Sequence, residues 1–106
     1  MFEEKEHGRF TYNGREYAIG YLVRVDGTIQ VMLRDAISGE PEANLSIVVI
    51  GDAEPAPPKL DQGEFWLKNY SENEDIVRVM LSLGVIETTG KLLDLSYVSV
   101  PSARLA

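Results

Sequence analysis

The first third of the chain alternates between apolar and polar positions, the pattern of β-strands that bury one face. Strands are predicted over residues 9–12, 15–24 and 28–34. Asn13-Gly14 separates the first two strands and Asp26-Gly27 the next two, and both dipeptides favour tight hairpin turns. The region therefore predicts two consecutive hairpins in an antiparallel sheet.

Three more strands are predicted later in the chain. The β-branched run over residues 45–50, the aromatic segment over residues 63–70 and the segment over residues 93–100 have the composition of strands. Thr88-Thr89-Gly90 predicts a turn before the last strand. Pro101 is expected to end that strand, because proline cannot donate to a sheet ladder.

One helix is predicted over about residues 72–83. Apolar side chains recur there at helical spacing: Ile76, Val77, Met80, Leu81 and Leu83. Ser71 and Glu74 have the spacing of a capping box, in which the serine hydroxyl accepts a hydrogen bond from a free backbone N–H. Gly84 is placed to end the helix in the left-handed conformation.

These elements belong to the α+β class: an antiparallel sheet of about six strands, with the hairpins first, packed on one α-helix. An all-β barrel with the helix as a plug or lid is the alternative. The 106 residues are predicted to form a single domain. Residues 1–8 are expected to be frayed, and the proline-rich acidic segment 51–62 is expected to be an exposed loop.

Acidic residues are concentrated in the middle of the chain. The net charge is −7, and seven acids lie in residues 35–64 against the single base Lys59. They are Asp35, Glu40, Glu42, Asp52, Glu54, Asp61 and Glu64. This balance argues against direct nucleic-acid binding, which needs clustered Lys and Arg. The seven acids predict either a solubilising surface or an acidic face that docks on a basic partner protein.

Residues typical of catalysis are sparse. The chain has no cysteine and a single histidine, His7, in the segment expected to fray, and it lacks phosphate-binding and dinucleotide-binding motifs. A non-enzymatic protein without cofactor or metal is therefore expected. Trp66 points away from Phe65 and Leu67 in an extended segment, so we expect it outside the main core, where it can contact a partner.

No apolar run is long enough to span a bilayer, and the acidic first residues lack the order of a signal peptide. The chain is therefore expected to be cytoplasmic, without membrane contact. Neither a membrane nor a cofactor is therefore expected to take part in binding.

The segment Phe65-Trp66-Leu67-Lys68-Asn69-Tyr70-Ser71-Glu72-Asn73-Glu74, followed by an apolar helix, Gly84-Val85 and Thr89-Gly90, resembles small proteins of bacteriophages and mobile elements. The resemblance covers about residues 63–101 and is most specific at residues 71–74. It implies an accessory protein in a bacterial host cell, of anti-CRISPR or antirestriction type.

A binding function follows from the acidic residues and this resemblance together. The seven acids and Trp66 are predicted to occupy a basic nucleic-acid-binding surface on a host defence nuclease or CRISPR effector. The alternative is a structural or assembly protein of a phage or mobile element that acts through homo-oligomer contacts, a homodimer included.

Overall fold

The computed structural model describes residues 3–49 and 57–106 and has an α+β fold. One four-stranded sheet contains β1 (Lys5–Tyr12), β2 (Arg15–Val23), β3 (Ile29–Asp35) and β4 (Pro41–Asn44). A second contains β5 (Ser46–Ile47), β6 (Glu64–Leu67), β7 (Ile86–Leu95) and β8 (Val98–Leu105). A 3-10 turn, Ser71–Asn73, leads into the helix α1 (Glu74–Leu83).

The strands form two antiparallel sheets rather than the single predicted sheet or a closed barrel. Their orders are β1-β2-β3-β4 and β5-β6-β8-β7. The described residues contain eight strands, so the expectation of about six is too low. No helix in these residues is long and apolar enough to cross a bilayer.

Both predicted hairpins are confirmed. β1 and β2 pair around Asn13-Gly14, where both residues have positive φ (53° and 73°), as a type I′ turn requires. β2 and β3 pair in register from Tyr17↔Asp35 to Val23↔Ile29. The predicted alternation therefore produces one buried face on these strands.

The strand predicted over residues 45–50 is confirmed only at Ser46–Ile47, and Leu45 before it is a crossing between the sheets; residue 50 lies outside the described residues. The chain leaves the first sheet at the end of β4, passes through buried Leu45 and enters the second sheet as β5. The N–H of Leu45 donates to the Val31 carbonyl at 2.9 Å, and its own carbonyl accepts from the Lys68 N–H at 2.8 Å. Leu45 thus links the two regions through its backbone, and its side chain is fully buried because it packs in a hydrophobic cluster with residues of both sheets.

The C-terminal region is a hairpin rather than a turn followed by one strand. Residues 88–90, predicted as the turn, lie inside β7, and β8 continues through Pro101. The register shifts between Thr88 and Leu92, so that three residues oppose Ser102 alone. Proline is tolerated in a strand beside such a bulge.

The helix ends as predicted but begins differently. Gly84 adopts the left-handed conformation (φ 73°), and its N–H reaches the carbonyls of Met80 and Leu81. Ser71 has φ 60° and makes no side-chain cap, because a capping residue needs an extended backbone. Asn73 anchors the start instead: its Nδ2 donates to the carbonyls of Asn44 (2.8 Å) and Lys68 (3.1 Å).

Buried side chains form two clusters. The main cluster contains Val77 and Met80 of α1 together with residues of both sheets. Trp66 lies outside it, as predicted, in a second cluster with Leu93 and Val100.

The N-terminal segment is more ordered than expected. Residues 5–8 belong to β1, so the expected fraying over residues 1–8 is wrong for this part. Glu4 accepts two hydrogen bonds from the Arg34 guanidinium (2.7 and 2.8 Å), and His7 Nε2 lies 2.7 Å from the Ala106 carbonyl oxygen. Residues 57–62 of the predicted loop contain no strand or helix; residues 51–56 lie outside the described residues.

Candidate functional site: an acidic cleft

The predicted acids do not form one set. The structure describes Asp35, Glu40, Glu42, Asp61 and Glu64, whereas Asp52 and Glu54 lie outside the described residues. Arg15 pairs with two of them in the first sheet, and Lys91 pairs with two in the second. Glu40 is exposed and has no ion pair within residues 3–49 and 57–106.

Glu64 is part of the packing rather than of an exposed face. It is 5% exposed, and its Oε1 accepts from Lys91 Nζ at 2.5 Å and from the Asp61 N–H at 2.6 Å. Burial raises its pKa, but hydrogen bonds from Lys91, Thr89 and the Asp61 backbone outweigh burial and lower the pKa from 4.5 to about 2. The prediction that Glu64 contacts a partner is therefore corrected.

Trp66 is also corrected as a contact residue. Only 5% of its surface is exposed, since Leu93 and Val100 cover it. The alternation of side chains along β6 correctly predicts that Trp66 faces away from the main cluster. On that face, however, residues of the second sheet form a second buried cluster. A sequence pattern does not show whether the face opposite a core is itself covered.

Asp35 is held by its own turn. The backbone N–H groups of Ser38 (2.9 Å) and Ile37 (2.8 Å) donate to its Oδ1, and Arg15 Nε donates to its Oδ2 at 3.0 Å. These hydrogen bonds, the Ser38 bond first, lower the pKa of Asp35 from 3.8 to about 2. Asp35 therefore orients Arg15 and has little free capacity for a partner.

Glu42 lies in a cleft between the first sheet and the start of the helix. We call it the acidic cleft; its volume is about 280 Å³. Its polar wall is formed by Tyr12, Tyr17, Glu42, Glu72, Asn73 and Asp75. β1, β2 and β4 supply the first three of these residues, and the 3-10 turn and first turn of α1 supply the others.

Each carboxylate of the acidic cleft has a basic neighbour. The pairs are Glu42–Arg15 (2.5 Å), Glu72–Lys68 (2.9 Å) and Asp75–Arg78 (2.7 Å). Each pair is recorded at one carboxylate oxygen, and a carboxylate has two oxygens that accept hydrogen bonds. Exposed ion pairs of this kind contribute little, about 0–1 kcal/mol each, so an incoming cation can share or displace them.

Asn73 gives the acidic cleft an unpaired acceptor. The residue is 1% exposed, its Nδ2 donates to two backbone carbonyls, and its Oδ1 is buried without a hydrogen-bond partner in the part of the chain that the structure describes. An unpaired buried acceptor costs about 1–3 kcal/mol, which an external donor would recover. The half-buried Tyr12 adds an aromatic ring to the wall, whereas the ring of Tyr17 is already stacked on Phe10 and lies 5.6 Å from the Arg15 guanidinium.

Sequence reasoning missed most of this wall. Glu72 and Asp75 are explained from sequence by the helix N-terminus, where carboxylates complement the helix dipole. From the sequence, Tyr12 and Tyr17 could be placed only on either side of the first hairpin turn, and this does not show that both line one cleft. The missing information was the packing of the helix start against the end of the first sheet.

No protein-family model, curated protein or solved structure matches the chain. Within the described residues, no group of three or more His, Asp and Glu side chains is placed to hold a metal ion. What the protein binds must therefore be inferred from its own surfaces.

Proposed function

We propose that this protein is a non-enzymatic binding protein that receives a basic side chain of a partner protein in the acidic cleft. The observation that carries the proposal is the convergence of three carboxylates, two tyrosines and the unpaired Oδ1 of Asn73 in one cleft. A lysine or arginine side chain can share or displace the exposed ion pairs of these carboxylates, and it supplies N–H donors and an apolar stem.

The charge of the whole chain supports the same kind of partner. A net charge of −7 attracts a basic surface over a distance and accelerates association. Glu40, exposed beside β4, adds a further carboxylate near Glu42 in the sequence. Electrostatic attraction brings the partner to the protein, and the cleft then fixes one cation.

Occlusion is the mechanism that we propose for the biological effect. A groove that binds nucleic acid carries basic residues, and a basic side chain held in the acidic cleft is no longer available to a phosphate. The resemblance to small phage proteins favours a host defence nuclease or a CRISPR effector as this partner. Nucleic acid should then compete with the protein for the partner, and a complex holding both together would exclude occlusion.

A basic peptide tests the cleft directly. We expect hexa-arginine to shift the NMR signals of Asn73 and Tyr17, and we expect the double variant Glu42→Gln/Asp75→Asn to bind it about tenfold more weakly. The control variant Glu6→Gln/Glu87→Gln removes two acids that are also ion-paired and exposed, so the net charge is equal. Equal weakening by both variants would mean that the acidic surface in general attracts hexa-arginine and that the cleft does not bind it specifically.

Exposed apolar residues favour homo-oligomer contacts as a second candidate. Val25 is 94% exposed and Val23 is 42% exposed at the end of the second hairpin, and with Leu22 they line an open hollow of about 520 Å³. Large exposed apolar side chains mark interaction surfaces. Sedimentation should then show a dimer that Val25→Asp dissociates, whereas a monomer at high protein concentration eliminates this candidate.

A further inference from the structure

A second cleft contains two basic residues that form no ion pair within residues 3–49 and 57–106, although, after the hydrogen bonds from Thr28, the charge of Arg24 helps to lower the pKa of the nearby Asp26. Within residues 3–49 and 57–106, ion pairs engage Arg9, Arg15, Arg34, Lys68, Arg78, Lys91 and Arg104. The basic residues left without an ion pair there are Lys5, Arg24 and Lys59. Arg24 and Lys59 line the same cleft, which we call the basic cleft. In a chain with net charge −7, two such bases in one place need an explanation.

The basic cleft lies between the second hairpin and the second sheet. The hairpin turn supplies Arg24, Asp26 and Thr28, and the facing wall includes Lys59, Leu60 and Trp66. The volume is about 260 Å³. Pockets for drug-sized ligands usually measure about 300–1,000 Å³, so this smaller cleft limits an occupant to a molecule below that size.

Arg24 is the strongest indication of a ligand. Its Nη2 is buried and has no hydrogen-bond partner in residues 3–49 and 57–106. Guanidinium N–H groups removed from water need an acceptor, and carboxylate and phosphate oxygens match their geometry. Lys59 is exposed at the same cleft, where it adds a second positive charge.

Asp26, the acid of the cleft among the described residues, forms no hydrogen bond or ion pair with Arg24. Its Oδ1 accepts the Thr28 N–H at 2.9 Å and the Thr28 hydroxyl at 2.6 Å, which closes the turn. The Thr28 hydroxyl bond is the main reason that the pKa of Asp26 is lowered, so this residue is ionised at neutral pH. Among the residues that the structure describes, the cleft thus has two positive charges and one negative charge, and the negative group already accepts hydrogen bonds from Thr28.

We propose that the basic cleft binds a small organic anion, a carboxylate or phosphate on an apolar body. Arg24 Nη2 donates to the anionic group, and Lys59 neutralises it from the rim. The apolar body lies against Leu60 and the small part of Trp66 that lines the cleft, since Trp66 is otherwise covered by Leu93 and Val100. This site is separate from the acidic cleft and does not depend on the function proposed for it.

Trp66 provides the readout, because it is the only tryptophan of the chain and forms part of the cleft wall. Phenyl phosphate and benzoate, added at constant ionic strength, should shift the indole N–H signal of Trp66 in a saturable way. Benzyl alcohol, which has the same apolar body without the charge, should shift it little. No saturable shift with either anion would overturn the proposal.

Variants locate the site. Arg24→Gln should weaken phenyl phosphate binding about tenfold or more, and Lys59→Gln about threefold, since a charge-assisted hydrogen bond exceeds a rim charge. The control is Lys5→Gln, which removes the remaining unpaired base, in β1, and should change affinity less than about twofold. Equal weakening by Lys5→Gln and Arg24→Gln would mean attraction of the anion by any surface base.

A second variant, thermal melts and a competing peptide test the same site independently. Lys59 is exposed, so Lys59→Gln is informative even if Arg24→Gln fails to fold. Phenyl phosphate should also raise the melting temperature of the wild type but not that of a folded Arg24 variant, because a ligand stabilises the state that binds it. A tetra-glutamate peptide that shifts Trp66 at lower concentration than phenyl phosphate would overturn the assignment to a small molecule.

Discussion

The acidic cleft and the basic cleft differ in how their charges are balanced. Each carboxylate of the acidic cleft has a basic partner on the chain, whereas Arg24 and Lys59 have no ion pair among the described residues. A cation entering the acidic cleft must share or displace exposed ion pairs. An anion entering the basic cleft meets donors that are already unoccupied.

This difference predicts two kinds of binding. Exposed charges separated by more than about 8–10 Å are screened at physiological salt, whereas buried groups are screened much less. Contacts at the acidic cleft should therefore form quickly and weaken steeply with salt. Binding at the basic cleft depends on one buried donor and should respond less to salt.

Acid should separate the two clefts most strongly. The pKa values of Asp35, Glu64 and Glu72 are all lowered to about 2; for Glu72 the main cause is its hydrogen bond with Lys68. A carboxyl with a lowered folded-state pKa stabilises the fold fully above its ordinary pKa, about 4. That stabilisation is lost as the pH falls through about 4.5 towards 2.

Thermal melts at pH 7, 4 and 2.5 measure this effect. The melting temperature should change little from pH 7 to about 5 and fall steeply below 4, and Glu64→Gln should reduce the fall. Hexa-arginine binding should decline over the same acidic range, whereas phenyl phosphate binding should persist longer, because the proposed anion site uses no carboxylate of the protein. A parallel loss of both at a pH where the protein is still folded would contradict the separation of the clefts.

Removing the side chain of Asn73 should destabilise the fold at the acidic cleft. Asn73→Ala leaves the carbonyls of Asn44 and Lys68 without their donors, at a cost of about 2–3 kcal/mol in the free energy of unfolding. Chemical denaturation measures the change. The control is Asn69→Ala, whose side chain has no hydrogen bond in the described part of the chain and which should cost less than about 1 kcal/mol. Equal costs would show that the bridge is unimportant.

The hairpins and the end of the helix could be predicted from sequence because their causes are local. Asn13-Gly14 supplies positive φ and Gly84 supplies the left-handed cap, whatever packs around them. The division into two sheets depends on hydrogen bonds from Leu45 to residues far along the chain on both sides. No local pattern encodes that contact, so the crossing was predicted as one strand.

The candidate sites were less predictable for the same reason. The number of acids between residues 35 and 64 is a property of the sequence, but their pairing with Arg15 and Lys91 depends on tertiary packing. Counting charge along the chain therefore found Glu42 but also included buried Glu64. Arg24 lies outside the acidic segment, and only the folded chain shows that its Nη2 is unpaired.

Ser71 tests the start of the helix at the acidic cleft. Its φ of 60° is left-handed, a conformation that costs a non-glycine residue roughly 1 kcal/mol. Ser71→Gly should therefore raise the free energy of unfolding by about 0.5–1 kcal/mol, less the entropy that glycine gains in the unfolded chain. If urea denaturation instead shows a loss of about 1 kcal/mol for both Ser71→Gly and Ser71→Ala, the serine acts as a cap after all.

The smallest change in the free energy of unfolding is expected for a substitution of Arg24, in contrast to Asn73→Ala. Asn73 satisfies two carbonyls, so its loss leaves partners unpaired; Arg24 Nη2 has no partner to lose. Arg24→Met keeps the apolar stem and removes a buried unpaired donor, so the free energy of unfolding should stay within about 0.5 kcal/mol of wild type or rise slightly. Urea denaturation without added anion measures it, and the m-value should not change. With saturating phenyl phosphate the wild type should become more stable than the variant. A loss above about 2 kcal/mol without anion would instead mean that Arg24 has a structural partner, and the basic cleft would lose its main donor.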